Sequence, residues 1–386
     1  MAQKVGIVAV AQSKYSGART DVSQKELAHE TVSEVLEAGG LTLDSKTPPI
    51  DQSVIVCDEF WEAQTLSEVK YGDVTGAHMR DGTRCTQDGA TAVHYATNAI
   101  LSGHLEVILI MAICKESRIR SRNIITNYGY DPFICKPLGM DDTISAALQA
   151  RIYMDKYGIT REDCAKVVVK NRANAAANPY AQLRQPVSEK EVLGSAMLAS
   201  PISALDMYPV SDGACALIMA NEEWTRRLTD KPVWVTGVGV CRDTYNLGTR
   251  DLSGCAALEA AAQAAYAMAG IKKPAEALDV VELSGHYSYQ ELLYSEGLGL
   301  CPRGEGHKLL ESGKTEKNGT LPINPSGGVL AGVPVLVAGA SRVIEAALQL
   351  RGEAGQRQVK HAKTAVAHGM FGPCGQLQCV ITLSAD

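Results

Sequence analysis

No stretch of about 18 consecutive apolar residues occurs in this 386-residue chain, although 46% of it is apolar. A membrane-spanning helix is therefore not expected, and the apolar content is read as buried core. Nor is there an excess of positive charge. Lys and Arg number 37 against 43 Asp and Glu, a formal charge of -6, which argues against a general nucleic-acid binder. No C-x-x-C pair stands among the eleven cysteines, so neither a structural zinc site nor any other bound metal is expected. The opening Met1-Ala-Gln-Lys4 has no charged leader followed by an apolar segment and cleavage site. From that, a reducing cytoplasm with free thiols is predicted.

The chain contains an order of elements used twice. Val5 to Val10 reads as a short apolar strand, Ser23 to Ala38 as an amphipathic helix stopped at Gly39-Gly40, and Asp51 to Cys57 as a second strand. Val233 to Val238, Leu252 to Met268 and Leu278 to Leu283 repeat that order. Val5 and Val233 are separated by the same 228 residues as Asp51 and Asp279, so the two halves are in register. Each half goes on through a Gly-bearing turn and a helix to another strand: Thr86 to Gly103 leads to Val107–Ile113, and Gly327 to Gly352 leads to Thr364–His368. Continuous Val/Ile/Leu strands alternating with amphipathic helices predict an α/β fold of two β-α-β-α-β halves, with helices between and outside two sheets.

Residues 1–114 and 232–386 are read as the two halves, and 210–231 as a last strand and linker. Residues 115–209 are read as an insertion rich in charged residues, Asn, Pro and Tyr, with one clear helix around Ser145 to Tyr157. An insertion on a rigid scaffold is a natural lid for a substrate.

Four strings then carry a family resemblance: Tyr157-Gly-Ile-Thr-Arg-Glu-Asp163, Pro209-Val-Ser-Asp-Gly-Ala214, Leu298-Gly-Leu-Cys301 with Gly304-Glu-Gly306, and Asn324-Pro-Ser-Gly-Gly328. With the duplication, they resemble the thiolase superfamily over nearly the whole chain, in its sterol-carrier-type and archaeal branches. The resemblance implies a layered α-β-α-β-α fold, a homodimer, and CoA as substrate and leaving group with no tightly bound cofactor. In such enzymes a cysteine at a helix N-terminus takes up an acyl group, and a second acyl-CoA, deprotonated at its α-carbon, attacks it; the reverse direction cleaves a β-ketoacyl-CoA. The branch includes benzoylsuccinyl-CoA thiolase of anaerobic toluene breakdown, which forms benzoyl-CoA and succinyl-CoA and whose thiolase subunit works beside a small zinc-ribbon and OB-fold partner. The same partner is implied here.

Every catalytic motif departs from the family pattern. Where thiolases show C-x-S-G-x-x-A, this chain has Arg84-Cys-Thr-Gln-Asp-Gly-Ala-Thr-Ala92, which puts Thr86 in the nucleophile's column and Cys85 one residue early. Cys85 is taken as the candidate nucleophile. In place of H-D-A-F or N-E-A-F stands Ser284-Gly-His-Tyr287, with Ser284 in the family column and His286 as the candidate carbonyl-polarising group. The G-H-P histidine is replaced by Val333. A free thiol with a pKa of about 8.5 is then only a few per cent ionised at pH 7, unless another group assists it. His368 and Cys374, in or near the last Gly-rich turn, are the candidates for α-proton transfer. Asn324, Ser326, Gly327 and Gly328 are expected to bind the thioester through backbone N–H groups, and Arg118 to meet CoA phosphates.

Three readings follow. The first is a divergent thiolase using Cys85. The second is a thiolase-fold aldolase that cleaves a β-hydroxyacyl-CoA without a covalent intermediate, with Tyr287, Tyr289 or Tyr245 moving protons. The third is a non-catalytic scaffold subunit.

Overall fold

The computed structural model describes residues 4–47 and 49–386; Met1 to Gln3, part of the leader argument, lie outside them. Among the described residues nine strands form one mixed sheet: β1 Val5–Gln12, β2 Gln52–Val56, β3 Asp81–Cys85, β4 Val107–Lys115, β5 Asp212–Asn221, β6 Val233–Arg242, β7 Val280–Glu282, β8 Thr364–Phe371 and β9 Leu377–Ser384. Their order is β3-β2-β4-β5-β1-β6-β9-β8-β7. The expected pair of sheets is therefore joined edge to edge. β1 meets β6 in a three-residue antiparallel ladder, Val5 opposite Val235 and Ile7 opposite Val233.

Alternation of side chains along the strands sorts the layers. On β4, Ile108, Ile110, Ala112 and Cys114 enter a central core, whereas Val107, Leu109, Met111 and Ile113 enter an outer one. The outer core is covered by α1, Gln24–Ala38, which starts at Ser23 with a reciprocal Ser23/Glu26 capping box and stops at Gly39. The central core holds α2, Gly89–Leu101, against the helix at Ala338–Arg351. Each fully buried Ile, Leu or Val there contributes roughly 1.5–3 kcal/mol.

The insertion brings α3, Asp142–Tyr157, and α4, Arg161–Ala175. On the far face of the second half lie α5, Ala256–Ala269, and α6, Ser288–Gly297; the Ala338–Arg351 helix is α7. Helix α5 lies so close on β6 that a Cβ at Gly239 would sit 2.0 Å from the Ala261 carbonyl oxygen. Only glycine fits there.

The duplication has a structural counterpart at its predicted register. Asp51 Oδ2 accepts from the N–H groups of Glu106 and Val107 at 2.7 and 2.9 Å. Asp279 Oδ2 does the same for Lys363 and Thr364 at 2.8 and 2.9 Å. Each aspartate thus caps the start of the strand that its own half lays parallel beside it. Where one clear helix is expected in the insertion there are two long ones, α3 and α4, and two short ones, Arg122–Asn127 and Glu189–Leu193. No helix among the described residues is long and apolar enough to cross a membrane.

Candidate active site

A cavity of about 390 Å³ opens where the carboxyl ends of the parallel strands β2, β3, β7 and β8 converge, the usual place for a ligand in an α/β sheet. Its wall takes Thr86 and Gln87 from the turn before α2, His286 and Tyr287 from the loop after β7, and Cys374 from the turn after β8. The insertion contributes Tyr128 and Asp142, among others.

His286 is held by its backbone and by its ring. Its N–H donates to Gln290 Oε1 at 2.9 Å, and its carbonyl accepts from Tyr208 N–H at 2.9 Å. The imidazole packs on the Tyr208 ring, tilted by 31°, with centroids 4.6 Å apart. The Arg122 guanidinium lies 4.1 Å from the Tyr208 ring centroid and pairs with buried Glu116 at 3.0 Å. His286 is 5% exposed, and its Nε2 is buried with no partner. Burial first, then the positive charge of Arg122 and repulsion from His368, pull its pKa down to about 3. It is a neutral imidazole with Nε2 left without a partner.

His368 is bonded differently. It is fully buried on β8 and does not line the cavity. Nδ1 accepts from Ser284 N–H at 3.3 Å, so the ring proton lies on Nε2 and is donated to Gln378 Oε1 at 2.5 Å. Burial lowers its pKa to about 4. Both nitrogens are committed, which leaves none for a substrate proton.

The two cysteine candidates also separate. Cys85 closes β3 and packs on the central apolar core, where burial pushes its thiol up to about 11; it does not line the cavity, and the next residue, Thr86, does. Cys85 is the last residue of β3 and Thr86 the first of the turn, so one position decides this. Cys374 does line the cavity. It adopts a left-handed φ of 52° in a turn whose Pro373 and Cys374 carbonyls accept from Arg250 at 2.8 and 3.0 Å. Its thiol donates to the Ser145 carbonyl at 3.2 Å, and burial pushes it up to about 12, so it is a neutral thiol.

The residues expected to bind the thioester are spent on structure. Asn324 Oδ1 accepts from Leu283 N–H and its Nδ2 donates to Glu291, both at 2.8 Å. Ser326 donates to Glu282 at 2.7 Å and receives Arg342 at 2.5 Å. A Cβ on Gly327 would meet Ala175 of α4 at 2.6 Å, and one on Gly328 would meet Asn324 at 2.9 Å. The Asn324 and Ser326 carbonyls accept from Asn174 and Asn178 of the insertion, both at 3.0 Å, and none of the four residues lines the cavity. Arg118 also lies off it, bonded to Gln24, while the exposed Arg242 stands on the cavity wall.

Two carboxylates in the wall escaped the sequence reading. Asp58 caps a short helix through the N–H groups of Phe60 and Trp61. Asp142, at the first position of α3 beside the cap residue Asp141, has no such duty. The Asp-Asp pair at a helix start was the signal, but it is ordinary capping chemistry.

A model of the thiolase N-terminal domain matches residues 5–223, and one described as thiolase C-terminal domain-like matches residues 239–384. The chain belongs to the thiolase superfamily. It is 31% identical over 376 residues to an acetyl-CoA acetyltransferase of Methanothermobacter thermautotrophicus, covering 96% of this chain and 97% of that protein. Benzoylsuccinyl-CoA thiolase subunit BbsB of Thauera aromatica is 36% identical over 231 residues, 59% of this chain and 60% of BbsB. Among solved structures, the Ltp2-ChsH2(DUF35) aldolase superposes with a TM-score of 0.84 at 25% identity, covering 99% of this chain and 98% of that one. The family acts on CoA thioesters, and this thiolase-like chain carries its fold throughout.

Proposed function

We propose that this protein forms or cleaves a carbon–carbon bond next to a CoA thioester without a cysteine acyl intermediate, as a thiolase-fold aldolase acting on a β-hydroxyacyl-CoA. The observation that carries the reading is the exchange at the end of β3: Thr86 lines the cavity while the Cys85 sulfur packs on the apolar core. A half-buried thiol raised to about 11, with Val333 where the family has its activating histidine, holds almost no thiolate at pH 7. Bond cleavage by enolate formation needs no nucleophile. It needs a hydrogen-bond donor at the thioester oxygen, and the neutral, unpartnered His286 Nε2 suits that role.

Support also comes from the solved neighbour, which is titled an aldolase and carries a DUF35 partner. Arg242 at the wall is the cation we assign to the CoA phosphates in place of Arg118. A small zinc-ribbon and OB-fold partner, a homodimer paired through the open edge of β3, and a cytoplasmic setting belong to the same reading.

The test compares two reactions of one preparation. Retro-aldol cleavage of a panel of 3-hydroxyacyl-CoA esters, followed by product mass, is expected to survive Cys85→Ala within about threefold, and thiolysis of 3-ketoacyl-CoA esters is expected to be absent. Thiolysis lost on Cys85→Ala, with acyl-enzyme found by intact mass, would restore the covalent route.

A further inference from the structure

The proposed chemistry needs a base as well as a donor, and the candidates in and around the cavity can be compared on geometry. His368 has both nitrogens bonded within the protein. Cys374 donates its thiol proton to a main-chain carbonyl. Tyr287 lies against Thr143 at 3.5 Å, and burial raises its phenol far above the ordinary range. Asp58 is occupied as a helix cap. Asp142 lines the cavity, forms no ion pair among the described residues, and accepts one long hydrogen bond, from Tyr130 OH at 3.4 Å. Tyr130 is itself more firmly bonded to Ser145 Oγ at 2.6 Å.

Resting on the carbon–carbon bond reading above, we infer that Asp142 is the catalytic base, the carboxylate that exchanges a proton with the substrate while His286 faces the thioester oxygen. The carboxylate takes the β-hydroxyl proton as the Cα–Cβ bond breaks. The electron pair of that bond passes into the thioester as an enolate, and a carbonyl product departs. Asp142 then returns the same proton to Cα, so atoms and charge balance with no co-reactant. In the reverse direction the first event is removal of the Cα proton.

The surroundings suit this role. Burial and the charge of Asp141 raise the Asp142 carboxyl to about 6, with Tyr130 and Arg122 opposing. Tyr287 from the loop before α6, Tyr208 and Cys374 are the other titratable groups that face it. Such a group is mostly ionised at pH 7 and yet a better base than an ordinary aspartate.

The reverse half-reaction supplies the test, since it needs no knowledge of the second product. The full chain is incubated in deuterated buffer with acetyl-CoA, propionyl-CoA or butyryl-CoA, and deuterium at Cα is followed by mass. The wild-type exchange rate is expected to rise with pH through a single titration near 6 and then level off. Asp142→Asn should lower it about 100-fold or more and abolish that titration, with an unchanged melting temperature, because Asp141 keeps the helix cap. Asp142→Glu should restore exchange in part and keep a titration, and it decides the matter if the Asn variant does not fold. Exchange by Asp142→Asn within about threefold of wild type, or a persisting titration near 6, overturns the role of Asp142 and leaves the reading of the reaction intact. Wild-type protein that exchanges none of the three esters overturns both.

Discussion

The loop after β7 and the strand–turn of β8 each place a histidine close to the family's catalytic positions, and the protein treats the two in opposite ways. On β8, His368 is fixed by a main-chain donor and a glutamine acceptor, so it is a structural hydrogen-bond bridge. In the loop, His286 is packed on Tyr208 and anchored through its backbone, but its Nε2 bonds to nothing. Nearness to a site does not make a residue reactive. A free valence in the cavity wall is needed, because a committed proton cannot be spent on a substrate.

The largest effect expected from this contrast is on activity at His286. His286→Ala should lower kcat about 10²- to 10³-fold with little change in melting temperature, as for loss of one oxyanion donor; steady-state kinetics and a thermal melt together measure it. His368→Ala should do the reverse and destabilise the fold by about 2–4 kcal/mol in denaturant titration, since it leaves the Ser284 N–H and the Gln378 Oε1 buried without partners. Equal loss of activity in the two variants at equal stability would erase the distinction.

A pH series sharpens it. His368 is neutral when folded down to about 4, whereas an unfolded histidine takes its proton near 6.5. Its contribution to stability is therefore whole above 6.5 and shrinks as pH falls towards 4, by on the order of 3 kcal/mol. His368→Gln should lack that loss, so its stability gap to wild type narrows below pH 6.5 in urea titrations. The smallest effect is at the first half's corner. Iodoacetamide at pH 7 should not label Cys85 ahead of the other thiols, and peptide mass spectrometry with and without acyl-CoA checks this.

Much of the fold was legible because it rests on local periodicity. Strands β1, β2 and β4 to β8, α1, the central helices and the 228-residue duplication follow from apolar runs and caps, whereas β3 and β9 do not. Helix α4 was not legible. Lys170, Asn171, Arg172 and Asn174 are buried on it, Lys170 against Glu291 at 2.5 Å, so a core helix has the composition of a solvated segment. The Glu291 partner of Lys170 and Asn171 lies more than a hundred residues away, beyond the reach of any local pattern. The Asn324-to-Gly328 string was recognised as important, but its buried bonding, which binds the insertion to the second half, could not be read from turn composition.

By itself the sequence determined the family, the paired halves and the roster of cysteines and histidines from which a site had to be assembled. The tertiary structure alone decided which of them face the cavity. Cys85 ends the strand and Thr86 begins the turn, so a one-residue displacement hands the wall to Thr86 and the core to Cys85. The Asp142 carboxylate joins the site only because the insertion folds back across the strand ends, an approach between distant segments that packing creates and no neighbouring residue encodes.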